Sequence, residues 1–140
     1  MADVTITAAQ VQPSTTGGWT LGQGIAGGTI TAGQPLYADA TDGGKLKPTD
    51  ADAAATASAR GIALSNAADD QPIRYLVSGP IILGVGNLVR GRSYFVSATA
   101  GGICRESDVA SGVYTTSLGL ATTTSQLDVQ IQSSGVTNSA

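Results

Sequence analysis

Apolar and polar residues alternate along this chain with a period of two over short stretches, and a helical stripe is never sustained. Val4-Thr5-Ile6-Thr7 alternates, runs on through Gln10-Val11-Gln12 and stops at Pro13, which predicts one extended segment, an edge strand or an arm. Trp19, Leu21, Gln23 and Ile25 alternate weakly with small residues, so Trp19–Ile25 is a predicted strand, its glycines placed where a backbone passes close by. Further strands are predicted at Leu36–Ala40, Lys45-Leu46-Lys47, Gly61–Ser65, Ile73–Val77, Pro80–Val85, Ser93–Val96, Ile103-Cys104, Val113–Ala121 and Leu127–Ile131. Turn-forming clusters separate them: Ser14–Gly18, the Asp-Gly hairpin within Asp39–Gly44, Asn66–Gln71, a sharp bend at Ser78-Gly79-Pro80, Thr99–Gly102 and Thr122–Ser125. The tail Ser133–Ala140 is small and polar and is expected to fray. Thr49–Arg60 alone looks helical, with Thr49 as a cap, Asp50 and Asp52 in a first turn, Arg60 in a last turn and Gly61 just beyond. Its counterpart Ser107–Leu118 favours extended chain, so at most a turn or two of helix is expected there.

That counterpart exists because the chain repeats itself. Gly33, Gly43, Gly44, Asp50 and Gly61 recur as Gly91, Gly101, Gly102, Asp108 and Gly119, every pair 58 positions apart. Tyr37 answers to Phe95, Ala40-Thr41 to Ala98-Thr99, Lys47 to Arg105 and Gly61-Ile62-Ala63 to Gly119-Leu120-Ala121. Beyond this the second copy is two residues shorter, so Ser78-Gly79 answers to Ser134-Gly135. The reading is an all-β fold, a small barrel or sandwich built from two tandem pseudo-repeats with pseudo-twofold symmetry. Residues 1–18 form an N-terminal arm or edge strand and turn, and 19–140 a single β domain, with repeat one at about 28–79 and repeat two at about 86–136. The expected core is Leu21, Leu36, Tyr37, Ile62, Leu64, Ile73, Tyr75, Ile82, Phe95, Leu118, Leu120, Val129 and Ile131.

Composition narrows the role. Only 4% of residues are aromatic and 12% charged, with a net charge of −3, so the core is thin and oligomerisation is expected. Lys and Arg are scattered singly, leaving no basic stripe for nucleic acid and no polybasic patch for a membrane. The longest apolar run, Pro80–Val85, is far too short to span a bilayer, and the N-terminus has no signal-peptide core, so a soluble protein made without a secretory leader is expected.

Candidate chemistry is sparse. The chain has no histidine, which removes histidine-based triads, general bases and nearly all catalytic zinc sites. Cys104 is single, stands at the repeat position of Leu46 and reads as a small buried hydrophobe. Gly22-Gln23-Gly24-Ile25-Ala26-Gly27 fits the spacing of a dinucleotide loop, but the sequence after it will not start the helix that holds a pyrophosphate. Asp39, Asp42, Asp50 and Asp52 lack the spacing and closing glutamate of a calcium loop, and the repeat keeps the turn glycines while replacing Asp39 and Asp42 by Ser97 and Ala100. Asp69-Asp70 and the lone Glu106 offer no paired carboxylates. No cofactor, metal site or catalytic activity is expected. Trp19, which has no repeat partner, is the best single candidate for a contact between subunits.

The run GQPLYADATDGGKLKPTDAD…ARGIALSNAADDQPIRYLVSG, echoed by GRSYFVSATAGGICRESD…SGVYTTSLGLATTTSQLDVQIQSSGV, resembles the small capsid decoration (cement) proteins of tailed bacteriophages over roughly Gly28 to Val136. The resemblance implies a β-rich virion protein on the outer capsid surface, made in the host cytoplasm, that bridges neighbouring capsomers and stabilises the head. It implies the major capsid protein as partner and a homo-oligomer, a trimer favoured with a dimer as the alternative, with an extended terminal arm reaching onto the shell. The arm and Trp19 then supply the candidate contacts: Val4, Thr5, Ile6, Thr7, Val11 and Trp19. Similar turns occur in phage tail-fibre proteins, so a tail-fibre, spike or glycan-binding module is the alternative.

Overall fold

The computed structural model describes residues 6, 10–14, 18–83, 88–105, 109 and 111–137. Strands make up 52% and helix 7%, in one curled antiparallel sheet that forms a half-barrel, so the fold is all-β. The strands are β1 (Gln12–Pro13), β2 (Thr20–Ile25), β3 (Pro35–Asp39), β4 (Lys45–Pro48), β5 (Gly61–Ala63), β6 (Pro72–Ile82), β7 (Ser93–Val96), β8 (Ile103–Arg105), β9 (Tyr114–Ala121) and β10 (Gln126–Thr137). Among the described residues the one α-helical turn, α1, is Ala54–Ala57.

The main path of the sheet runs β4-β3-β5-β6-β10-β9-β7-β8, with β1 and β2 also paired to β6. Exchanging each strand of the first repeat for its counterpart (β3 for β7, β4 for β8, β5 for β9, β6 for β10) turns this order end for end. A duplicated unit with its pseudo-twofold between β6 and β10 has that property. Three repeat-matched glycine pairs keep positive φ, Gly33 and Gly91 at +94° and +83°, Gly43 and Gly101 at +67° and +76°, Gly79 and Gly135 at +109° and +72°. The pairing registers are less faithful. Tyr37 faces Lys47, whereas Phe95 faces Cys104 and not Arg105.

Two apolar clusters fill the fold. The smaller one gathers Ala26, Ile30, Leu36, Leu46, Ala63, Ala67 and Ile73, with Ala38 and Tyr75 against it. It is enclosed because the curl brings the end of β2 to β4, where Ala26 bridges Leu46 and the Gly27 N–H donates to the Leu46 carbonyl at 2.8 Å. The larger cluster includes Ile62, Leu76, Ile81, Leu83, Tyr94, Val96, Ile103, Leu118, Leu127 and Val129. On β5, Ile62 serves the larger cluster and Ala63 the smaller, so both faces are covered and Gly61-Ile62-Ala63 shows no polar alternation. The two halves are stitched by the segment before α1. The Gly101 N–H donates to the Thr49 carbonyl at 2.7 Å, Ala51 N–H to Ser97 at 3.2 Å and Tyr114 N–H to the Ala51 carbonyl at 2.8 Å.

Several expectations are corrected. There is no break at Ser78-Gly79-Pro80: β6 runs through it, because Gly79 takes a positive φ that lets the strand kink without turning. A side chain there would strike the Gly18 carbonyl and Trp19, both within 2.7 Å. The tail does not fray at Ser133, since β10 continues to Thr137 with Ser133 opposite Thr116 and Thr137 opposite Tyr114. Thr49 does not cap the helix. Ala53 stands at that position without a side-chain bond, and Ser58, not Gly61, ends the turn. In the core, Leu21 is 39% and Leu120 45% exposed, Ile81 takes the buried place expected of Ile82, and Tyr94 that expected of Phe95.

The N-terminal segment is partly built into the domain. Val11 is buried in the larger cluster, half-buried Ile6 packs against it, and β1 pairs Gln12 with Ile82 and Pro13 with Ile81. The Ser14 N–H donates to the Pro80 carbonyl at 2.9 Å. Gly33 makes room for this docking: a Cβ there would lie 2.5 Å from Ile6 Cγ2 and 3.3 Å from Val11 Cγ2. Ile6 and Val11 are therefore corrected from candidate outward contacts to packing residues, because the chain's own core takes up their side chains. Val4, Thr5 and Thr7 lie outside the described residues.

Candidate interaction face

β2 is inside out. On an ordinary half-buried strand the large apolar residues face the core. Here Leu21 and Ile25 are exposed at 39% and 43%, in step with Trp19 just before the strand at 44%, while Gly22 and Gly24 point inward. The inner side has no room for more. A Cβ at Gly22 would stand 2.6 Å from the Tyr75 ring, and one at Gly24 would stand 2.9 Å from Leu46 Cδ1. The glycines thus admit two bulky core side chains, not the close backbone approach expected from the sequence. The large residues of β2 are consequently committed to the outside.

Trp19 is held in place, since its indole N–H donates to the Ser14 carbonyl at 2.8 Å. Across the ladder, Gln23 faces Arg74 and Ile25 faces Pro72, so the row continues sideways onto β6. Leu21, Gly22, Gln23 and Arg74 line a notch of about 300 Å³ beside it. Sequence reasoning found Trp19 but placed Leu21 in the core and overlooked Ile25 and Arg74. The glycine at every second position bears on Leu21 and Ile25 alone, and only once the inner side is seen to be filled, while nothing in β2 pointed to Arg74 on β6.

Beyond the end of β2 lies a rim of paired charges. Gly27 sits against the side-chain stems of Lys45 and Lys47, where a Cβ would come within 2.9 Å of either. Lys45 pairs with Asp70 at 2.5 Å, and Lys47 with Asp39 at 2.7 Å and Asp42 at 3.2 Å. The Lys47 ammonium, followed by the Thr41 hydroxyl and backbone N–H, holds the Asp39 carboxyl down at about 2, from an ordinary value of 3.8. The Asp39 and then the Asp42 carboxylate in turn raise the Lys47 ammonium above the usual lysine range. A carboxyl depressed by folding adds stability above its unfolded value and loses it as pH falls through the folded one. Asp39→Asn is therefore expected to flatten the stability profile between about pH 4 and pH 2 relative to the parent chain. Thermal melts across that interval check this, and an unchanged slope would show that the pair contributes nothing.

Asp39 and Asp42 thus serve a hairpin ion pair, while Asp50 accepts the Asp52 N–H at 3.0 Å. Among the described residues no three His, Cys, Asp or Glu side chains converge, and no helix is long and apolar enough to cross a membrane. Cys104 is buried among the core residues, as expected of a small hydrophobe. Glu106 lies outside the described residues. Gly22 and Gly24 lie within β2 and begin no helix. A second hollow, an open groove of about 420 Å³, is lined by Phe95, Thr115, Ser117, Gln132, Ser133 and Ser134.

Comparison of the chain with protein-family models, with curated proteins and with solved structures finds no match.

Proposed function

We propose that this protein is a structural component of a tailed-phage virion. On this reading it binds the outer surface of the capsid, bridges neighbouring copies of the major capsid protein and stabilises the head, acting as a homotrimer with no catalytic role. The observation that carries the proposal is the outward apolar row Trp19, Leu21 and Ile25 on a strand whose inner side is closed to them. Large apolar side chains exposed along one side of a strand, with Gln23 between two of them and paired charges beyond its end, support a surface that binds another protein. The likeness of the repeated hairpins to capsid decoration proteins names the kind of surface.

The test is co-sedimentation of the purified protein with expanded, undecorated capsids. Saturable uptake at a fixed ratio to capsid subunits is expected, and shells that pellet without it would refute the proposal. The alternative, a tail-fibre or spike module that binds a host glycan, draws on the groove at Phe95, which combines one aromatic ring with hydroxyl and amide groups. Binding to a saccharide array in the absence of shell uptake would select it.

A further inference from the structure

We draw no further inference here: the strongest candidate, the outward apolar row of Trp19, Leu21 and Ile25 on β2 with the notch beside Arg74, is the face already described, and nothing in the structure shows what covers it.

Discussion

Gly119→Ala is expected to cost the domain roughly 3 kcal/mol or more, the largest effect of a methyl group added at any of the described glycines. A Cβ at Gly119 would lie 2.1 Å from the Asp128 carbonyl oxygen and 2.9 Å from its carbon. Those are backbone atoms of β10, which cannot swing aside as a side-chain tip can. Gly119 pairs directly with Val129, so relief of the clash has to part β9 from β10. The repeat partner is under the same constraint: a Cβ at Gly61 would lie 2.6 Å from the Leu76 carbonyl oxygen of β6. Gly28, with nothing within 4 Å of its Cβ position, is the control, and Gly28→Ala is expected to change stability by about 0.5 kcal/mol at most. Urea unfolding of Gly119→Ala and Gly28→Ala beside the parent chain decides the matter. Parent-like stability of Gly119→Ala would mean that the long strands do not approach their neighbours in this way.

Deleting Met1–Gln12 is expected to lower stability by about 2–4 kcal/mol, a fall in melting temperature on the order of 10 °C. The deletion removes the buried Val11 and the packing of Ile6 from the larger cluster and takes half of β1 from the edge of β6. A segment serving solely as a mobile arm would leave the melt untouched and weaken shell binding alone. Val11→Ala separates the two roles, since it keeps the segment and removes two buried carbons. A drop of roughly 1–2 kcal/mol from that variant assigns the segment to the core.

How much of this was legible in the sequence depends on what each residue had to reveal. The duplication was visible because its marks are glycines at positive φ and at close strand approaches, sites where no other residue fits readily, as at Gly33, Gly91, Gly61 and Gly119. Strand faces were harder to assign. Leu36-Tyr37-Ala38 and Tyr94-Phe95-Val96 contain no polar residue to set the parity, and Leu36 and Tyr94 turn inward, leaving Tyr37 and Phe95 half-buried. Gly79 looked like a turn because glycine before proline marks one, yet it serves as a kink inside β6, and the parity of Ile81 and Ile82 changed with it. Leu120 followed Ile62 by repeat logic, but β5 is covered on both faces while Leu120 lies on an open side of β9. The interaction face was the least legible. Alternation of large residues with glycine reads as a normal strand until Tyr75 and Leu46, distant in sequence, are seen to fill the inner side.

The central proposal is that a duplicated β scaffold turns the apolar side of β2 towards a capsid. A cryo-electron reconstruction of expanded capsids saturated with this protein tests it most directly. The account predicts ordered density on the outer shell with Trp19, Leu21 and Ile25 against the major capsid protein. Shells that remain bare, or bound molecules with that row facing solvent, would contradict it.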